Sequence, residues 1–139
     1  MRIPAQLLGE IVAHATEDPH NEVCGLVAVT TEDDGERTAM RVHRARNLHA
    51  SPMKFEIEPG ELLALHNRIE DEGFELGAIY HSHVRSAPYP SQTDVNFAAS
   101  WPGVEWIIVG LAAGGEPDVR SYLIDGAAIE EVSVAAHDG

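Results

Sequence analysis

A chain of 139 residues with 23 acidic against 9 basic side chains has a formal charge of −14, a surface that repels phosphate backbones and argues against nucleic-acid binding. The length suits one domain over residues 1–139, with enough chain for a core without disulfide staples, and the sole cysteine, Cys24, fits a reducing cytoplasm. Met1-Arg2-Ile3-Pro4 lacks the apolar segment of a signal peptide, and no apolar run approaches the roughly 20 residues of a membrane span, so no membrane partner is expected either.

Leu7, Leu8, Ile11, Val12 and Ala15 recur at helical spacing and predict a first helix from about Pro4 to Thr16. Pro19 breaks the chain there. Val23 to Thr30 reads as a buried strand, the Asp33-Asp34-Gly35 segment as a turn, and Thr38 to Ala45 as a return strand. Ala50-Ser51-Pro52 is loop, and Phe55-Glu56-Ile57 is short and extended. Pro59 opens a second helix with Leu62, Leu63, Leu65, His66 and Ile69 as its inner side, and Gly73 ends it. A strand from Phe74 leads to His81. A third helix runs from about Ser91 to Ala99, then a very apolar strand from Glu105 to Leu111. Gly114-Gly115 makes a turn, and Val119–Ile124 with Ala128–Val134 form a closing hairpin around Asp125-Gly126. The last five residues are expected to fray. Alternating strands and helices imply an α/β domain around a mixed sheet flanked by helices.

The stretch Tyr80-His-Ser-His-Val-Arg-Ser-Ala-Pro-Tyr-Pro-Ser-Gln-Thr-Asp94 carries the chemistry. On a strand, residues i and i+2 share a face, so His81 and His83 aim two imidazoles at one point. On a helix they would diverge by about 200°. Ser86 to Pro90 breaks regular structure. Ser91 then reads as the N-cap of the third helix with Asp94 at its third position, which turns a carboxylate back toward the strand end. Ser-x-x-Asp alone is a common cap, and a lone buried histidine is more often a core residue than a ligand. Their conjunction makes a three-ligand set of two histidines and one carboxylate, the kind used by catalytic zinc sites, which keep a fourth position for water.

His81-Ser82-His83, then seven residues, Ser91, two residues and Asp94, resembles the JAMM motif of the MPN-domain metallopeptidases in every spacing. The similarity extends over nearly the whole chain. Glu22-Val23-Cys24-Gly25, Asn47 and Ser51-Pro52-Met53-Lys54-Phe55 are similar to the short bacterial members, above all the type that cleaves cysteine from a sulfur-carrier protein. The resemblance implies an MPN fold, cytidine-deaminase-like, with His81, His83 and Asp94 binding Zn2+ and Ser91 stabilising the tetrahedral intermediate. It also implies a glutamate general base near the first strand. Spacing alone leaves Glu17, Glu22, Glu56, Glu58 and Glu105 open. Glu22 is favoured by its place at the entrance to the first buried strand and by its match to the family.

The implied substrate is a ubiquitin-like or sulfur-carrier β-grasp protein, cut after its Gly-Gly tail to release an amino acid such as cysteine or a conjugated lysine. The acidic surface suits a saline cytoplasm or a basic protein partner equally. The alternative is a non-catalytic MPN interaction module, but members of that kind usually lack zinc ligands that are all present here. Zinc deamination would need a Cys-x-x-Cys motif, which the chain lacks. Cys24, inside an apolar strand, reads as core rather than as a nucleophile. Ser82 faces away from the histidines and reads as structural. His14, His20, His43, His49, His66 and His137 stand at no ligand spacing. Phe97, Trp101 and Trp106 read as core, and Tyr89 as a residue that could line a substrate groove.

Overall fold

The computed structural model describes residues 1–112, 114–134, 136 and 137. In chain order these form β1 (Ile3–Pro4), α1 (Ala5–Glu17), β2 (Cys24–Thr31), β3 (Arg37–Ala45), α2 (Pro59–Asp71), β4 (Glu75–His83), α3 (Gln92–Ala98), β5 (Glu105–Gly110), β6 (Asp118–Asp125), β7 (Ala128–Val132) and β8 (Ala136–His137). A six-stranded sheet has the order β3-β2-β4-β5-β6-β7. Only the β4–β5 pair is parallel, so the sheet is mixed, as the alternating pattern predicts.

Helices close both faces. Ile11 and Ala15 of α1 pack with Val27, Val29, Tyr80 and Ile107 on one side. Ile69 of α2 and Ala98 of α3 pack with Leu26, Ile79, Trp106 and Ile108 on the other. Strands buried on both faces need continuous apolar runs, which is why Glu105–Gly110 reads Glu-Trp-Ile-Ile-Val-Gly. Pro59 occupies the first turn of α2, and the Glu58 carboxylate accepts the Glu61 N–H at 2.9 Å to cap it.

The ladder between β2 and β4 carries a bulge. Val27 and Ala28 pair with Ala78 and Leu76, leaving Gly77 as an extra residue. The bulge changes which face the strand presents. Leu76 packs on the α2–α3 side, Ala78 on the α1 side, and from there Ile79 and His81 face α2 and α3.

Two expectations are corrected. Leu63 is 61 % exposed rather than part of the inner side of α2. It lies one residue, about 100°, around from Leu62, and the buried stripe runs through Leu62, Leu65 and Ile69 instead. Of the last five residues, expected to fray, Ala136 and His137 pair in parallel with Ile3 and Pro4, and Ala135, Asp138 and Gly139 lie outside the described residues. Ile3, fully buried, anchors that pairing. A two-residue strand carries no period for a sequence reading to detect. Among the described residues, no helix is long and apolar enough to cross a membrane.

Candidate metal centre

The last turn of the pleat in β4 sends His81 and His83 to the same face, with their Nε2 atoms 3.0 Å apart and both rings buried. Ser91 caps α3. Its Oγ accepts the Asp94 N–H at 3.1 Å, and its own N–H donates to Asp94 Oδ2 at 2.9 Å, a reciprocal capping box. The box fixes the carboxylate, whose Oδ2 lies 3.1 Å from His81 Nε2 and 3.3 Å from His83 Nε2. Three donor atoms from two elements thus meet at one point.

Glu22 stands beside them. It is 6 % exposed, and its carboxylate and the two imidazoles each bring a donor atom within 4.8 Å of the others. The other candidate glutamates are engaged elsewhere. Glu17 pairs with Arg44, Glu56 with His49, and Glu58 caps α2. Glu105 accepts from Ser121 Oγ at 2.8 Å and faces the N-terminal amine at 3.5 Å. The backbone of Glu22 is held on both sides, its N–H donating to the Ser51 carbonyl at 2.8 Å and its carbonyl accepting from Asn47 Nδ2 at 3.0 Å.

The spacing fits a tetrahedral zinc. Bonds of about 2.0–2.1 Å put neighbouring ligand atoms about 3.3–3.4 Å apart. The three separations of 3.0, 3.1 and 3.3 Å are close to that. Tautomers agree as well. His83 Nδ1–H donates to the Ala87 carbonyl at 2.8 Å, which leaves the lone pair on Nε2 facing the centre. Among the described residues, buried His81 Nδ1 has no hydrogen-bond partner, and its ring is instead stacked on Phe55 at 4.4 Å between centroids.

The charges are arranged around this point. Burial would raise the Asp94 carboxyl, but His81, His83 and the Ser91 N–H outweigh it and hold it below the usual carboxylate range. Burial lowers His81. Burial pulls on His83 too, but the Asp94 and Ala87 acceptors and the Asp94 and Glu22 charges reverse it and raise its pKa. Burial pushes Glu22 up to about 7, with His83 opposing and Asp94 reinforcing the shift.

Two supports escaped the sequence reading, and the bond made by a third, Ser82, read as structural, was not specified by it. Phe55, expected only as part of an extended piece, covers His81. Ala87 contributes a backbone carbonyl, which no side-chain pattern reveals. Ser82 accepts the Val23 N–H on its Oγ at 2.9 Å. A small polar residue on the strand face that otherwise carries Ala78 and Tyr80 was the available signal for the last. Tyr89 is 54 % exposed and sets its ring edge-on against Tyr122.

Comparison with known proteins gives a consistent picture. The profile of the prokaryotic homologs of the JAB domain matches residues 4–125. The CysO-cysteine peptidase of Mycobacterium tuberculosis is 34 % identical over 130 residues, covering 93 % of this chain and 86 % of that protein. The desampylase of Haloferax volcanii is 36 % identical over 113 residues, 78 % of each chain. The solution structure of protein DSY2949 from Desulfitobacterium hafniense superposes with a TM-score of 0.84 at 28 % identity, covering 99 % of this chain and 93 % of that one.

Proposed function

Because the chain belongs to the family of prokaryotic homologs of the JAB domain, we propose that it is a zinc-dependent peptidase. It cleaves after the Gly-Gly tail of a ubiquitin-like or sulfur-carrier β-grasp protein. The observation that carries this reading is the convergence of His81 Nε2, His83 Nε2 and Asp94 Oδ2 within 3.3 Å, with the Glu22 carboxylate beside them. The names of the relatives support the substrate class, since one is a CysO-cysteine peptidase and another a desampylase. A cytoplasmic setting suits the buried Cys24 thiol.

In this reading His81, His83 and Asp94 hold the zinc, and Ser91 and Glu22 work around it. The ion, when bound, supplies a Lewis acid and lowers the pKa of water to about 7. Glu22 accepts the proton of the attacking water and returns it to the amine as the C–N bond breaks, a role typically worth about 10²–10⁴ in rate. Burial helps, because a carboxyl raised toward neutrality can both take and give a proton. Ser91 Oγ accepts from the Asp94 N–H, so its own proton is free to donate to the oxyanion that develops at the carbonyl. The Gly-Gly tail lies extended, held by main-chain hydrogen bonds, as side-chain-poor peptides are bound beside strands.

Metal analysis together with Glu22→Gln tests the reading. Wild type should carry about one zinc per chain. The variant should keep zinc and fold while turnover falls by about 10² or more. Wild type should trim a carrier ending in Gly-Gly with one extra residue faster than diubiquitin, with products read by mass spectrometry. Wild type without tightly bound metal would instead favour the non-catalytic interaction module. Equal or reversed rates on the two substrates would redirect the search toward polyubiquitin.

A further inference from the structure

We infer that Ser82 is a positioning residue that locks the general base to the metal strand. The inference rests on the reading of Glu22 as the proton carrier. Ser82 lies between the two imidazoles in sequence but points to the other face of β4, where it is fully buried. Its Oγ accepts the Val23 N–H at 2.9 Å, and its own N–H donates to the Val23 carbonyl at 3.1 Å.

The regular pairing of β2 with β4 ends at Cys24 and His81. Beyond that pair the chain at Glu22 and Val23 must leave the ladder for the Glu22 carboxylate to reach the histidines. A backbone amide that leaves a ladder inside a buried region still needs an acceptor. The Ser82 hydroxyl supplies it. The residue that follows the base is therefore fastened to the residue that separates the two imidazoles at both its amide and its carbonyl, and the amide half of that link is a single side-chain atom. An apolar side chain at position 82 would pack as well in a strand but would leave the Val23 N–H without its acceptor, with only the backbone bond to the Val23 carbonyl remaining. Catalytic groups displaced by about 1 Å lose on the order of 10²-fold in rate.

Ser82→Ala, Ser82→Thr and the double variant Ser82→Ala/Glu22→Asp test this. For Ser82→Ala, kcat should fall about 10–100-fold. KM should stay within about twofold and zinc content near one per chain, since the ligands and the substrate groove are intact. Ser82→Thr keeps the hydroxyl and should recover most of the rate. In the Glu22→Asp background, where the carboxylate is already withdrawn, adding Ser82→Ala should cost less than about threefold. Amide exchange of Val23 in the metal-free protein should quicken in Ser82→Ala and not in Ser82→Thr.

The inference is overturned if Ser82→Ala keeps kcat within about twofold, loses zinc, or fails to fold while Ser82→Thr does no better. It is also overturned if the Ser82→Ala loss is the same in both backgrounds, since that makes the serine independent of Glu22. A wild type that cleaves no Gly-Gly carrier, or a fully active Glu22→Gln, counts instead against the functional reading. Val23 exchange, measured without metal or substrate, separates the two failures.

Discussion

Asp94 has two duties, and its neighbours allow them to be separated. Its Oδ2 takes the Ser91 N–H in the helix cap and also meets both imidazoles. Asn keeps an oxygen for the cap but lacks the charge that a zinc ligand set uses. Asp94→Asn should therefore hold α3, with metal-free stability within about 1 kcal/mol of wild type, while zinc content falls far below one per chain. Stoichiometric zinc in that variant would remove Asp94 from the ligand set. Ser91→Ala loses the cap, about 1 kcal/mol in urea unfolding, and any donor to the oxyanion, about 10²–10³ in kcat. Cys24 gives a residue-scale prediction of another kind. Burial, reinforced by Glu61 and Glu22, pushes its thiol up to about 12 from 9.0. The folded state thus holds that proton more tightly than the unfolded chain. Its contribution to stability is complete below pH 9 and is lost as pH rises toward 12. The urea midpoint of wild type should accordingly drop more between pH 8 and about pH 10.5 than that of Cys24→Ala. A native thiol that reacts freely with iodoacetamide at pH 8 would contradict the burial argument.

Within the elements, two glycines set how closely strands and side chains approach. Gly25 lies under the Tyr80 ring, where an added Cβ would come within 2.3–2.4 Å of ring atoms. Tyr80 is fully buried, and its hydroxyl meets His14 Nδ1 at 2.6 Å, so the ring has no easy retreat. Gly25→Ala should destabilise by about 1–3 kcal/mol, read as a lower urea midpoint with an unchanged m-value. A neutral effect would show that the ring moves freely. The bulge at Gly77 is the second case, since a Cβ there would meet Val29 at 2.3 Å. These glycines also mark where sequence reading reached its limit. The long periodic segments were legible: α1, α2 and the apolar β5 fall within a residue or two of expectation. The meeting of His81, His83 and Asp94 was legible because same-face histidines and a capping carboxylate are both spacing rules. The bulge was not, because one extra residue in a strand leaves no period of its own. Nor were the Ala87 carbonyl, the Phe55 stack or the Val23–Ser82 bond, since each joins residues whose proximity is set by the chain path rather than by a local pattern.

At the scale of the molecule, the charge distribution and the proposed metal each carry a consequence. Six of the nine cationic side chains, Arg2, Arg37, Arg41, Arg44, Arg46 and Arg68, lie on β3, next to it or on the facing helix α2. The remaining surface carries most of the negative charge, a field that weakens with added salt. Zinc should also be a stabiliser of the whole sheet, because only the folded chain gathers the donors. At a free concentration of 100 times Kd, binding adds about 2.7 kcal/mol, which for a domain of this size raises Tm by roughly 5–10 °C. Differential scanning calorimetry with zinc and with EDTA checks this, and an unchanged Tm would argue against a resident ion. The bond from Ser82 to Val23 and the box from Ser91 to Asp94 bring residues 22, 81, 83 and 94 together from the starts of two elements and the end of a third. Ion capture would then be a clock for assembly: during refolding, a chromogenic indicator should surrender its zinc only once β4 and α3 have met, well after the helices alone have restored their far-ultraviolet signal.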